Sequence, residues 1–143
     1  MFEDRKYDLE ELPDVASCLL AEIKKNNWSV VGLSGQLGVG KTTLVQEVAK
    51  QFGILEKVTS PSFVVGQFYN LPTGDWQRLA HFDFYRLNSQ ADVAFIGWPE
   101  VVNDKNILSL VEWPENINQK QWPVEAPIFK MSVLDKGKRL IKL

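Results

Sequence analysis

The chain has 143 residues, of which 45% are hydrophobic and 24% charged, and its formal net charge is −2. That length and usage predict one globular domain over residues 1–143, able to bury a core without disulfide or metal staples. The slight acidity gives no global electrostatic footprint for nucleic acid, and no apolar run approaches roughly 18 residues, so no membrane-spanning helix is expected.

The N-terminal stretch MFEDRKYDLEEL is polar and acidic, without the apolar centre of a signal peptide, which predicts a cytoplasmic protein. Apolar residues then fall at Leu9, Leu12, Val15, Ala16, Leu19, Leu20 and Ile23, the spacing of a helical face. Asp8 and Glu11 have the spacing of a capping box, whereas Pro13 sets the regular helix to start near itself, giving a helix over about 12–25. Cys18, the only cysteine, falls inside this apolar pattern and reads as a small buried hydrophobe.

Ser29 to Ser34 is short, apolar and partly β-branched, a buried strand that runs directly into GQLGVGKTT. Leu44, Val45, Val48, Ala49 and Phe52 mark a second helix that Gly53 ends. Two alternating segments, SFVVGQFYN and QRLAHFDFY, flank the turn-rich LPTGDW and predict an antiparallel hairpin. A helical region near Ser89 to Asn103 is interrupted by Pro99. Asn106 to Val111 reads as another buried strand, followed abruptly by Glu112-Trp-Pro-Glu115. Pro127 to Leu134 alternates, Asp135-Lys-Gly137 supplies a turn, and Lys138 to Leu143 closes a second hairpin.

Gly35, Gly40, Lys41 and Thr42 match the phosphate-loop pattern G-x-x-x-x-G-K-[ST], in the strand, loop, helix context that the pattern requires. Glycines are needed because backbone N–H groups must curl round phosphate oxygens, and the next helix adds unpaired N–H groups and the positive end of its dipole. Lys41 would reach the β- and γ-phosphates and the Thr42 hydroxyl would ligate Mg²⁺. The guanine motif N-K-x-D is absent, since Asn103-Asp-Lys-Asn106 runs in the wrong order, and this points to adenine. The fold expected is an α/β, P-loop NTPase-like three-layer domain with a mixed parallel/antiparallel sheet.

Mg²⁺ on a triphosphate usually needs a carboxylate at a strand end. Asp83 and Glu112 both qualify: Asp83 shares a strand face with Leu79 and His81, and Glu112 ends the run ILSLV, where ligands of open α/β sheets bind. Each reads equally as a solvated strand-end charge. His81 is either a structural partner of Asp83 or a proton shuttle. Trp113 and Arg86 are open between a site role and ordinary surface packing, as is Thr59 to Phe63 between a γ-phosphate sensor and a plain turn.

GQLGVGKTT, SPSF, HFDFYRL and VEWPE, in this order and in so short a chain, resemble the TsaE (YjeE) family of bacterial P-loop ATPases needed for threonylcarbamoyladenosine in tRNA. The resemblance runs from about Leu9 to Glu115. It implies ATP at Leu37, Gly38, Val39, Gly40, Lys41, Thr42 and Thr43, with Mg²⁺ held by Thr42 and Glu112. It implies that Asp83 is the acidic residue required for hydrolysis, that Thr59 to Phe63 is a nucleotide-responsive switch, that Trp113 lies near the nucleotide and that Glu11 lies near the adenine. The partners implied are the TsaD and TsaB proteins, with tRNA reached only through them. Two positions depart from the family pattern: Gln36 stands where aspartate is usual, and Val39 where alanine is usual.

Three functions compete on these residues: an ATPase serving a tRNA-modifying complex, a small-molecule kinase, and a nucleotide-binding module with negligible turnover. A kinase commonly carries arginines in a closing lid. This chain has only Arg5, Arg78, Arg86 and Arg139, in no arginine-rich insertion. The expectation is an ATPase that is slow alone and accelerated by its partners.

Overall fold

The structure is a computed structural model, and it describes residues 2–59, 65–87 and 97–143. Seven strands form one sheet: β1 (Arg5–Tyr7), β2 (Val30–Ser34), β3 (Gly66–Asn70), β4 (Arg78–Asp83), β5 (Ile107–Glu112), β6 (Ile128–Val133) and β7 (Arg139–Lys142), in the order β1-β7-β6-β2-β5-β4-β3. The four central strands β6, β2, β5 and β4 are parallel to one another. β3, β7 and β1 add antiparallel flanks, which is the mixed sheet expected from the sequence. Among the described residues, no helix is long and apolar enough to cross a membrane.

β2 and β5 read as near-continuous apolar runs because both of their faces are covered, whereas β6 alternates buried and exposed residues. Toward one side, Val31, Leu33, Leu79, Leu108, Leu110 and Phe129 pack against α1 (Leu12–Asn26) and α2 (Lys41–Gln51). Toward the other, Val30, Ala80, Phe82 and Val111 meet Phe84, Ile117, Trp122 and the short helix α3 (Trp98–Val102). Trp98 and Trp122 stack at 5.8 Å there, and each indole N–H donates to a backbone carbonyl. Gly32 of β2 allows this layer to come close, since a Cβ would lie 2.8 Å from Pro114 and 3.0 Å from Trp122. Of the helical region read near Ser89 to Asn103, residues 88–96 lie outside the described ones, and Pro99 sits in the first turn of α3, where proline is tolerated.

The signals at the start of α1 act in series. Asp8 and Glu11 do form a capping box, but it caps a 3₁₀ turn at Leu9–Glu11, and the α-helix follows with Pro13 in its first turn. Leu9 is therefore exposed rather than on the buried face. Cys18 also corrects its reading. The buried stripe is Leu12, Val15, Ala16, Leu19 and Ile23, and Cys18 lies off it, exposed, with its Sγ accepting from Arg5 Nη1. The helix lies where the spacing predicts it, but its buried stripe is narrower than the run of apolar residues. Strand β1 has no apolar alternation and was not expected; only Tyr7 of its three residues is buried, and it pairs with β7 alone.

Candidate nucleotide site

β2 ends at Ser34, β4 at Asp83 and β5 at Glu112, so the phosphate loop and both candidate carboxylates emerge at the same carboxyl edge of the parallel sheet. Asp83 and Glu112 are register neighbours on adjacent strands. Two glycines fix the loop's path. Gly40 caps α2 with φ 106°, and Gly35 lies so close to β6 that a Cβ would fall 2.5 Å from the Met131 carbonyl oxygen. Leu37 stands out at the loop tip, Val39 is buried beneath it, and Thr43 is exposed on the first turn of α2.

Lys41, the first residue of α2, is only 5% exposed. Its ammonium donates to the carbonyls of Gly35 and, at 2.9 Å, of Gln36, and lies 4.6 Å from the centre of the Trp113 ring. Burial pushes its pKa down, against the pull of Glu112, Asp83 and Glu115. Next to it, the Thr42 hydroxyl reaches both oxygens of the Glu112 carboxylate, at 2.8 and 2.9 Å. His81 Nε2 lies 3.1 Å from Glu112 Oε2, so the histidine's partner is Glu112 and not Asp83. Asp83 is buried; its Oδ1 accepts from the Tyr85 N–H at 2.9 Å, and its own N–H donates to Val65.

Trp113 adopts φ 58°, ψ 49°, a left-handed conformation that costs a side-chain-bearing residue about 1–2 kcal/mol. Its N–H bonds Leu33 of β2, and its ring tilts against Tyr85 at 5.0 Å. Turning the chain this sharply after β5 brings the indole back over Lys41. Asn116, one turn further on, donates to the Phe84 carbonyl at 3.0 Å and ties the segment after β5 to the segment after β4.

The cleft so formed has a volume of about 220 Å³. Lys41, Thr42, Asp83, Glu112 and Trp113 all line it, together with loop residues Leu37, Gly38, Gly40 and Thr43. Arg139 of β7 lines it as well, with Nε donating to the Val39 carbonyl at 2.9 Å. No motif marks that arginine; only the β1-β7-β6-β2 strand order, which carries β7 past the loop, would have shown it. Glu11 is not among the lining residues, and its carboxylate receives the Asp8 N–H at 2.9 Å within the capping box. Of the segment Thr59 to Phe63, residues 60–63 lie outside the described ones; Val58 just before it is held by Gln46 of α2 at 2.8 Å. A larger cavity, about 560 Å³, lies at the amino edge of the sheet near Trp28 and Lys105 and contains no part of the phosphate loop.

A family model described as threonylcarbamoyl adenosine biosynthesis protein TsaE matches residues 7–141. The chain belongs to the TsaE family. Among curated relatives, the tRNA threonylcarbamoyladenosine biosynthesis protein TsaE of Rickettsia bellii is 34% identical over 135 residues, covering 94% of this chain and 88% of its own. The TsaE of Rickettsia felis is 34% identical over 135 residues, covering 94% and 74%. The crystal structure of YdiB from Bacillus subtilis superposes with a TM-score of 0.69 at 27% identity, covering 99% of this chain and 84% of that one. The fold is accordingly that of a P-loop NTPase-like TsaE, and the family role is threonylcarbamoyladenosine biosynthesis by a nucleotide-binding P-loop protein. The two departures from the TsaE pattern differ in setting: Gln36 is exposed on the loop and Val39 is buried in the core. Gln36 contributes its backbone carbonyl to Lys41, and Val39 contributes its carbonyl to Arg139.

Proposed function

We propose that the chain is a single, cytoplasmic P-loop ATPase domain that binds and hydrolyses ATP with Mg²⁺ and so supports the TsaD–TsaB complex in threonylcarbamoyladenosine modification of tRNA. The observation that carries the reading is the contact of Thr42 with Glu112, 70 residues apart in sequence, beside the phosphate-loop lysine. Backbone N–H groups from Leu37 to Thr43 and the N-terminus of α2 receive the phosphates. Lys41 turns from the Gly35 and Gln36 carbonyls to the β- and γ-phosphate oxygens, and Asp83 orients the attacking water.

The residues fit Mg²⁺ rather than a metal caged by protein. Among the described residues no three histidine, cysteine or acidic side chains cluster to hold an ion. One hydroxyl and one carboxylate, Thr42 and Glu112, are what a nucleotide-bound Mg²⁺ takes from a protein, since phosphates and water fill its other positions. When bound, the ion neutralises charge on the phosphate oxygens.

Turnover is expected to be slow in the isolated chain. Arg139 is the one arginine lining the cleft among the described residues, and it braces the loop through the Val39 carbonyl. An arginine acting on the transferring phosphoryl group, here from a partner, is worth roughly 10³–10⁵ in rate. The test is steady-state phosphate release by the chain alone, then with TsaD, TsaB and tRNA. Stimulation by the complex is the expected result. Fast hydrolysis alone with no response to the partners overturns the partner role. Transfer of the γ-phosphate to a metabolite in place of water makes the chain a kinase, and nucleotide binding with no release under any condition makes it a binding module.

A further inference from the structure

The chain's single histidine, His81, is fully buried, on the helix-facing side of β4 between Leu79 and Asp83 and in register with Leu110. Its Nε2 is 3.1 Å from Glu112 Oε2, while its Nδ1 has no hydrogen-bond partner among the described residues. An ionised carboxylate only accepts, so Nε2 carries the hydrogen and donates. An imidazole that relays protons needs a second partner to pass them to, and among the described residues this one has none. A leucine would fill the same space without leaving a buried nitrogen unmet. What the imidazole adds over a leucine is one N–H aimed at one carboxylate oxygen.

Glu112 is 2% exposed, and its two oxygens are not equivalent. Among the described residues, Oε2 is approached by both His81 and Thr42, and Oε1 by Thr42 alone. The single Thr42 hydroxyl hydrogen is shared between the two oxygens and lies slightly nearer Oε1, so the His81 N–H is the donor that Oε2 has to itself; it fixes the plane of the carboxylate and leaves Oε1 facing the Thr42 hydroxyl.

We propose that His81 is a positioning residue: its Nε2–H holds the Glu112 carboxylate in the orientation that presents Oε1, beside the Thr42 hydroxyl, to a Mg²⁺–nucleotide. The inference rests on the reading that Thr42 and Glu112 take Mg²⁺. Hydrogen bonds that orient a metal-ligating side chain are commonly worth about 10- to 100-fold in metal affinity.

The test is calorimetric binding of ADP and of a non-hydrolysable ATP analogue, with and without Mg²⁺, to the wild type and to His81→Leu, His81→Asn and His81→Gln, with Lys41→Ala as the control. Gln places an amide N–H near the position of Nε2, whereas Asn is one carbon shorter and falls short of Glu112. The gain in affinity on adding Mg²⁺ is expected to shrink about 10- to 100-fold in the Leu and Asn variants. It is expected to stay within a few-fold of wild type in Gln, with metal-free affinity the same in all. If Leu does not fold, the contrast between Asn and Gln carries the result. A full Mg²⁺ gain in Leu or Asn overturns the proposal. So does an equal loss in all three variants, and so does misfolding of all three, which would make the imidazole a packing element. A wild type that binds nucleotide no better than Lys41→Ala, or binds it without any response to Mg²⁺, refutes the site reading itself.

Discussion

On the side of β4 and β5 that looks toward α1 and α2, the residues run Leu79, His81, Asp83 and Leu108, Leu110, Glu112; on the other side they run Ala80, Phe82 and Ile107, Ser109, Val111. Both sides are buried. The first turns polar on approaching the carboxyl edge, and the second, apolar apart from Ser109, passes into Phe84, Trp98 and Trp122. Because side chains alternate with period two, one pair of strands carries a charged site and an aromatic core at once. The core side anchors the strands, and that permits the other side to hold Lys41, Asp83 and Glu112 together out of water, where the lysine's pKa is depressed first by burial.

If the two faces divide stability from chemistry in this way, a truncation on the aromatic face should unfold the protein before it alters the site. Phe82 is fully buried, with ring contacts to Phe68, Phe84 and Trp98 at 5.5–5.9 Å. Phe82→Ala is expected to lose about 3–5 kcal/mol of stability. Urea unfolding would show it as a lower midpoint, and nucleotide affinity in the fraction still folded should be little changed. A stability loss under about 1 kcal/mol would mean that the aromatic side is not the anchor.

Substitutions on the polar face should show the reverse pattern. Asp83→Asn keeps the size of the side chain and is expected to lower ATP turnover at least about 10²-fold with a small change in nucleotide affinity, because a group acting on the attacking water is felt in the transition state. Phosphate release and calorimetric titration, side by side, separate the two effects; equal losses in both would move Asp83 from catalysis to binding. Lys41→Ala should act on affinity itself. At ligand about 100-fold over Kd, wild type gains roughly 2.7 kcal/mol from Mg²⁺–ATP, visible as a raised Tm, and the variant should lose most of that gain. Equal melting of the two proteins at millimolar ATP would reject the phosphate loop as a binding site.

The polar face was also the legible one. Gly35 to Thr42 lies in a motif whose spacing reflects a chemical need, and its strand, loop, helix order marks the phosphate loop; Asp83 and Glu112 are legible as strand-end carboxylates, and only the resemblance to TsaE gives them separate roles. The hairpin of β3 and β4 was readable from alternation on either side of a turn. The remainder depends on register and on long-range pairing. β1 is three residues long, with Arg5 and Lys6 ahead of one buried tyrosine, so no hydrophobic pattern marks it. Arg139 reaches the loop only because β7 follows β6 back along the sheet. Cys18 was placed in the core by its apolar neighbours, but a step of 100° from Leu19 takes it out of the stripe. The link between His81 and Glu112 needs the in-register pairing of β4 with β5, which neither strand encodes alone.

The smallest expected effect comes from that unmarked flank. Tyr7 of β1 is 1% exposed, in register with Arg139, and its phenol oxygen has no hydrogen-bond partner among the described residues. Burial raises its pKa, with Arg139 opposing. In the window from about 10, where an unfolded tyrosine titrates, up to the folded value, the unfolded chain loses the phenol proton while the folded chain retains it. Stability from this group is therefore whole below about pH 10 and is lost as pH rises through that window. Tyr69, whose pKa burial also raises, acts in the same direction, whereas Lys41, whose pKa is lowered, adds stability as pH climbs toward its unfolded value. Tyr7→Phe leaves both of those in place and removes one contribution. The variant should be about 1 kcal/mol more stable at pH 7, because an unmet buried hydroxyl is gone, and should decline less steeply above pH 10. Urea unfolding of both proteins from pH 7 to 11 checks both parts. A variant less stable than wild type at pH 7 would show that the phenol has a partner after all and that β1 adds more to the fold than apolar burial.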